Sequence, residues 1–112
     1  MDSLKGPDRR STERFVISAG KPVYFRTVHD GIEFRMLVEN LSMGGALLMC
    51  PAIYESIQTG ECLSDGELVL TDANSLRVNV IIRWQFWPRI GVQFDHLSHD
   101  AAAQISQLLE SL

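Results

Sequence analysis

Three arginines stand close together near the start of the chain, at Arg9, Arg10 and Arg14. The planar guanidinium of arginine matches the oxygens of a phosphate and the O6/N7 edge of guanine, and it also stacks on a purine face. In an extended segment, Arg10 and Arg14 are two long donors that approach one ligand from different sides. The cluster therefore suits a ligand that contains both guanine and phosphate, although a solvated basic tail has the same composition.

A second group of candidate binding residues lies further along the chain, at Asn40, Ser42, Gly44 and Gly45. Asparagine offers a donor and an acceptor, and serine offers a short hydroxyl. The two glycines let the backbone turn with positive φ or let a flat base approach closely. Asn40 and Ser42 continue the phase of an apolar strand face over 32–38, so we expect them at a rim, or on an outer surface after a register shift. Ordinary turn chemistry favours the same residue types.

The segments that must position these residues show strand periodicity. Apolar and polar side chains alternate with period two, which predicts antiparallel strands on a single core. The predicted strands cover 23–26, 32–38, 76–84 and 90–94, with shorter ones at 46–50 and 66–71. Trp84 falls on the apolar face of its run, and Ser64-Asp65-Gly66 reads as a turn. About six strands favour a small closed barrel, because closure removes exposed edges.

The two ends of the chain differ from this pattern. Residues 1–13 are polar and aperiodic, which predicts a flexible arm ahead of a barrel domain over 14–112. Near the C-terminus Ser98 is a helix cap with Asp100 in the first turn. An apolar stripe at helical spacing follows at Ala101, Ala102, Ile105, Leu108, Leu109 and Leu112. We expect this helix to close one end of the barrel.

Charge is unevenly distributed in this acidic chain of net charge −4. Six of the ten basic residues lie within residues 1–26, beside three acidic ones, so the remainder is strongly acidic. Binding to duplex nucleic acid usually needs a broad basic face, which this distribution does not provide. A small anion held locally by the basic leading segment is compatible with it.

Other functional classes find little support in the sequence. No segment has the apolar length of a signal peptide or membrane span, so we expect a cytoplasmic protein without membrane contact. Cys50 and Cys62 are expected to be reduced thiols. His29, His96 and His99 lack metal-ligand spacing, and no serine or cysteine stands in a nucleophile motif. The sequence therefore predicts a binding protein, with no metal and no enzyme activity.

Taken together, the two polar groups resemble a known motif pair. Arg10 to Arg14 reads as RxxxR, and Asn40 to Gly45 reads as [D/N]xSxxG. This pair, in this order, resembles the PilZ domain, the bacterial receptor module for cyclic di-GMP. The likeness covers about residues 8–112 and includes the glycine-containing last strand at 90–94, followed by a helix. It implies a mainly β fold, a six-stranded antiparallel β-barrel with a C-terminal α-helix, and a non-catalytic sensor.

The resemblance also implies roles for individual residues. Arg10 and Arg14 would grip guanine and phosphate, Asn40 and Ser42 would hydrogen-bond the other guanine and the neighbouring phosphate, and Gly45, with Gly44 beside it, would leave room for the base. Arg9 stands directly before the RxxxR motif. In the PilZ family a long basic residue there tends to go with two stacked cyclic di-GMP molecules per site, so the resemblance implies two ligand molecules here.

A cyclic di-GMP effector of this kind would be a monomer whose arm becomes ordered on ligand binding. The new surface would regulate a downstream protein partner, for example in motility or biofilm formation. Two alternatives remain open at this point. One is a PilZ-like adaptor that binds no nucleotide. The other is a small barrel that binds single-stranded RNA through arginines and aromatic side chains such as Trp84, Phe86 and Trp87.

Overall fold

The computed structural model describes residues 15–17, 20–50, 57–70 and 74–110. The predicted flexible arm, residues 1–13, lies outside these ranges, so that prediction stays a prediction. Within them the chain forms β1 (Phe15–Val16), β2 (Tyr24–His29), β3 (Ile32–Leu41), β4 (Gly45–Met49), β5 (Cys62–Val69), β6 (Ser75–Phe86), β7 (Arg89–Phe94) and the helix α1 (His99–Glu110).

Six of these strands close into a barrel. The antiparallel pairings run from β3 through β2, β5, β6 and β7 to β4, and β4 pairs with β3 again. The predicted six-stranded antiparallel barrel with a C-terminal helix is therefore confirmed. β1 is an additional strand on the edge of β3. Alternation did not predict it, because two residues are too few to show a period.

The barrel interior is filled by the apolar face of every strand. Its largest fully buried side chains on the strands are Phe25, Phe34, Met36, Leu41, Leu48, Leu68, Ile82 and Ile90. A closed interior of this kind leaves no room for a ligand, since packed side chains occupy it. Any binding site on this barrel must therefore use its rim or its outer face.

The C-terminal helix packs against this core as the sequence predicts. The Ser98 hydroxyl accepts a hydrogen bond from the Ala101 N–H at 3.1 Å, which caps the first turn. The buried side chains of α1 are Ala101, Ile105 and Leu109, and the last two belong to the core cluster. α1 thus packs against β6 and stabilises the barrel there.

Register shifts interrupt three of the strand pairings. They lie between Val38 and Asn40 on β3, between Leu63 and Gly66 on β5, and between Ile82 and Trp84 on β6. An inserted residue of this kind reverses which face of the sheet the following side chains occupy. The predicted turn at 64–66 is wrong for this reason: these residues lie inside β5, where Asp65 takes the left-handed conformation with φ 59°.

The predicted core position of Trp84 is also wrong. Its side chain is 44% exposed, although Ile82, two residues earlier, is buried. The shift after Ile82 adds one residue to β6, so Trp84 emerges on the outer face together with Phe86, which is 80% exposed. Trp87 packs partly against the core.

The described residues also bear on disulfide bonding, metal binding and membrane spanning. Cys50 is buried, Cys62 is exposed, and neither forms a disulfide bond. Among the described residues, no three or more His, Cys, Asp or Glu side chains gather as a metal-binding group would require. The same residues contain no helix with the length and apolarity needed to cross a membrane.

We predict that Ser98→Ala lowers the free energy of unfolding by about 1 kcal/mol, because the Ala101 N–H loses its capping acceptor. The corresponding fall in melting temperature is about 4–8 °C. Gln107→Ala, on the exposed face of the same helix, is the control and should change stability by less than about 0.5 kcal/mol. Equal losses in the two variants, measured by thermal and urea denaturation, would contradict the capping role.

Candidate functional site

The edge strand β1 brings two distant parts of the sequence together. Phe15 pairs with Leu41 and Val16 with Asn40, and the Ile17 N–H donates to the Glu39 carbonyl at 3.0 Å. The chain that follows the first motif directly therefore lies against the start of the second. Arg14 itself is outside the described residues, but one peptide bond joins it to Phe15.

The register shift in β3 sets the side on which Asn40 lies. Val38 and Leu41 are both buried in the core, at 1% and 0% exposure. The two residues between them, Glu39 and Asn40, therefore lie on the outer face. If β3 alternated regularly through Glu39, with no register shift, the phase of its buried residues would direct Asn40 into the barrel. Of the two positions that the sequence left open, Asn40 takes the outer surface.

Ser42 shapes the turn between β3 and β4 at the barrel rim. Its hydroxyl accepts hydrogen bonds from the Gly44 and Gly45 N–H groups, both at 3.2 Å, and its own N–H donates to the Gly45 carbonyl at 2.9 Å. The residue is only 4% exposed. In this structure Ser42 performs turn chemistry, with its hydroxyl engaged by the backbone.

Gly45 is required by a close approach between β4 and β7. A Cβ atom at this position would overlap the carbonyl oxygen of Val92. Gly45 has no positive φ; the described glycines that do are Gly31 and Gly60. The need for glycine at 45 thus comes from backbone packing beside the turn. The Gly44 carbonyl adds a second tie to β7 by accepting from the Phe94 N–H at 2.8 Å.

A cavity of about 380 Å³ opens on the outer face where β1 meets β3. It is lined by Val16, Ile17, Pro22, Leu37, Val38, Glu39, Asn40 and Leu47. Apolar side chains form most of this lining, and Asn40 and Glu39 supply the polar groups. An apolar surface with a few placed polar groups is the usual composition of a small-molecule site, and it suits a flat base.

The surface extends sideways from this cavity along one row of paired residues. Val16 pairs with Asn40, Asn40 with Leu47, Leu47 with Gly91, and Gly91 with Trp84. The row from Asn40 to Trp84 crosses three strand spacings, about 14 Å. A Cβ on Gly91 would overlap the Trp84 indole, so the indole lies against the bare backbone of β7.

Sequence reasoning missed three members of this row, Val16, Leu47 and Gly91. A glycine inside a strand can mark the close approach of a neighbouring group, and Gly91 was available as such a signal. Val16 and Leu47 carried none, because their strand partners were unknown.

An ion pair lies beside Asn40 on the same face. Arg89 Nε donates to Glu39 Oε1 at 2.8 Å, and Arg89 Nη2 donates to Glu39 Oε2 at 3.2 Å. The Arg89 side chain is 48% exposed and that of Glu39 is 23% exposed. This bidentate pair bridges β3 and β7 across β4.

A larger cavity, of about 480 Å³, lies elsewhere on the barrel, among β2, β3, β5 and β6. Its two cations are each matched by carboxylates: Arg26 hydrogen-bonds Glu67, and Arg77 lies 3.9 Å from Asp65. The hydrogen bond with Glu67, helped by its charge, raises the pKa of Arg26 above the usual value. Glu33, Asp65 and Glu67 outnumber the two arginines in its lining, so this cavity has no net attraction for an anion and we favour the cavity at β1 and β3.

The predicted site residues thus fall into two groups, those that the structure describes and those that it does not. It brings the second motif together at the end of β3 and the start of β4, at Asn40, Ser42, Gly44 and Gly45. It does not describe Arg9, Arg10 and Arg14. The contacts of all seven residues with a ligand remain predictions.

Comparison with known proteins gives a family match over nearly the whole chain. The family described as PilZ domain matches residues 8–111. No curated protein matches the sequence.

Similar folds occur among solved structures, at low sequence identity. The PilZ domain of YcgR from Escherichia coli with c-di-GMP has a TM-score of 0.79 and 18% identity, covering 93% of this chain and 91% of that one. The K. pneumonia MrkH complex with c-di-GMP has a TM-score of 0.80 and 20% identity, covering 92% and 52%. The Bacillus subtilis inhibitor of motility, MotI/DgrA, has a TM-score of 0.68 and 16% identity, covering 88% and 48%. The chain spans about half the length of MrkH.

We predict that Gly45→Ala destabilises the fold by about 1–3 kcal/mol or more, because the added methyl must displace the backbone of β7 at Val92. Urea denaturation measures the loss. Gly31→Asn is the comparison: no atom lies near the added side chain, and asparagine is among the residues that best tolerate the strained φ of 76°, so its loss should be the smaller one. A Gly45→Ala protein as stable as the wild type would show that β4 and β7 do not pack as described.

Proposed function

Because the chain belongs to the PilZ domain family, we propose that it is a bacterial receptor for cyclic di-GMP and that the ligand binds on the outer face where β1 meets β3. The pairing of Val16 with Asn40 carries this proposal, since it joins the segment after RxxxR to the NxSxxG segment. Two solved structures that share the fold, those of MrkH and YcgR, are complexes with c-di-GMP.

The reach of the arm supports this location. Arg14 is bonded to Phe15 at the edge of the cavity. Arg10 is four residues earlier, so its Cα lies within about 14 Å of that of Arg14 even in an extended chain. That span equals the row from Asn40 to Trp84, also about 14 Å. An arm anchored at β1 is therefore long enough to bring both guanidinium groups over the same surface.

The chemistry of the surface complements that of the arm. Asn40 offers donors and an acceptor to a guanine edge, while Leu47 and the exposed Trp84 offer apolar and aromatic faces to a base. Ser42 has its hydroxyl engaged within the turn, so its first role is to hold that turn in shape. We propose that Arg10 and Arg14 add phosphate and guanine contacts from the arm to those that the barrel surface offers.

Ligand binding then acts as a switch through the arm. The body of the protein is acidic and repels a dianion, so affinity depends on the arginines of residues 1–14. A ligand held between the arm and the barrel orders the arm and creates a surface that neither part presents alone. We propose that a downstream protein recognises this surface and that the receptor is monomeric, cytoplasmic and non-catalytic.

Two other functions are tested by the same measurement. An adaptor that keeps the fold without binding nucleotide would give no signal with cyclic di-GMP. The exposure of Trp84 and Phe86 favours single-stranded RNA as the second candidate ligand, because exposed aromatic rings stack bases. Isothermal titration calorimetry with cyclic di-GMP and with a single-stranded RNA pool separates the three.

We predict a dissociation constant for cyclic di-GMP in the micromolar range or below, which corresponds to about −8 kcal/mol or tighter. Arg10→Ala and Arg14→Ala should each weaken binding by about 2 kcal/mol or more, because guanine or phosphate loses a charged partner. Arg77→Ala is the matched control: this arginine is exposed and lies near the opposite end of β6 from Trp84, so binding should be unchanged.

The unliganded melting temperatures of the Arg10 and Arg14 variants should equal that of the wild type. A marked loss of stability without ligand would make these arginines structural. Absence of binding heat and of NMR shifts at millimolar cyclic di-GMP would refute the proposed function.

We predict two cyclic di-GMP molecules per chain, and one in Arg9→Leu. The third arginine exceeds the two that the motif requires, and a second stacked dianion needs an additional counter-charge. Native mass spectrometry with excess ligand counts the molecules. One ligand on the wild-type protein, or two retained by Arg9→Leu, would be incompatible with this role.

A further inference from the structure

Two consecutive residues at the register shift in β3 present their functional groups side by side. Glu39 and Asn40 both lie on the outer face, because Val38 before them and Leu41 after them are buried. Both also line the cavity of about 380 Å³. The carboxylate of Glu39 is therefore a charged group within the proposed ligand site, and it is not part of either motif.

An unscreened carboxylate at this position would oppose the binding of a dianionic ligand. Arg89 compensates it. This arginine lies on β7, two strands from β3, and its side chain crosses β4 to bond Glu39 at 2.8 and 3.2 Å. The guanidinium is thereby held against Glu39, one of the residues that line the cavity.

The guanidinium retains binding capacity in this position. Glu39 uses two of its five N–H donors, Nε–H and one on Nη2. The side chain is 48% exposed, so solvent and solutes reach it. An exposed ion pair contributes little to stability. Arg89 can therefore bind another anion beside Glu39, or in its place, at little cost in free energy.

We propose that Arg89 is a phosphate-binding residue of this site and that Glu39 is its built-in competitor. Glu39 holds the guanidinium at the edge of the cavity in the free protein. The phosphodiester of the cyclic dinucleotide binds the remaining donors and draws the guanidinium from the carboxylate. The strength of the Glu39–Arg89 pair then sets the affinity for the ligand. This inference rests on the proposed function.

Opposite responses to two charge-neutralising substitutions test this role. Arg89→Gln removes the phosphate partner, so we expect affinity for cyclic di-GMP to fall about tenfold. Glu39→Gln removes the competing carboxylate and leaves the guanidinium to the ligand, so we expect affinity to rise about threefold or more. A purely structural ion pair would instead make both variants weaker, because either change breaks the same bridge.

The experiment is calorimetry on the full chain, comparing wild type, Arg89→Gln, Glu39→Gln and the double variant, with Arg77→Gln as control. Arg77 is an exposed arginine that lies near a carboxylate of β5, away from the site, so its variant should bind as the wild type does. Thermal melts without ligand check that each variant is folded. In the double variant the gain from Glu39→Gln should disappear, since it acts through Arg89. Raising the salt concentration should narrow the gap between wild type and Arg89→Gln.

The outcomes distinguish this role from the function on which it rests. Wild-type binding with an Arg89→Gln affinity within twofold, or a Glu39→Gln protein that weakens like Arg89→Gln, overturns the phosphate role and leaves the receptor function standing. A wild-type protein that does not bind cyclic di-GMP overturns both.

Discussion

Two residues of β1 pair with the last residues of β3, and the candidate site depends on this contact. The pairing tethers the arginine-bearing segment at the cavity, beside Asn40. A chain anchored there has a high effective concentration of its side chains at the site, because only a few residues separate them from it. Had β2 been the first strand of the sheet, a much longer segment would have tethered the arginines. In the proposed receptor, this short and individually weak strand determines where the arginines act.

The closed barrel explains why the candidate binding residues must lie on its outer surface. Its interior is packed with apolar side chains, so function is confined to the outside. Strand alternation alone would have turned Asn40 and Trp84 inward, towards that interior. The extra residues in β3 and β6 reverse the phase locally and bring both side chains out onto one row, while the pairing around the barrel stays closed. Bulges next to binding sites commonly serve this purpose, because they redirect a side chain without breaking the sheet.

The arm and the barrel side of the cavity differ in charge. The barrel side of the cavity carries one carboxylate, already matched by an arginine, together with an amide and apolar groups. It offers shape and hydrogen bonds but little net attraction for an anion, whereas the arm carries positive charge in its three arginines. In the proposed receptor neither part is complete by itself, so a ligand that needs both can couple its binding to the position of the arm. In their proposed roles, Glu39 and Arg89 modify this balance from the barrel side.

The sequence by itself determined the strand composition, the helix and its Ser98 cap, and the pair of motifs. These follow from local periodicity and residue chemistry, which do not require knowledge of neighbours in space. It also placed Asn40 and Ser42 near a register shift or rim. The tertiary structure alone decided that Asn40 faces outward while Ser42 is buried in the turn, and that Trp84 is exposed. It alone showed that the Val92 carbonyl leaves no room for a side chain at position 45. The reason is physical: a bulge or a close backbone contact is a property of two paired strands, and a single strand's sequence carries no record of the partner against which it is registered.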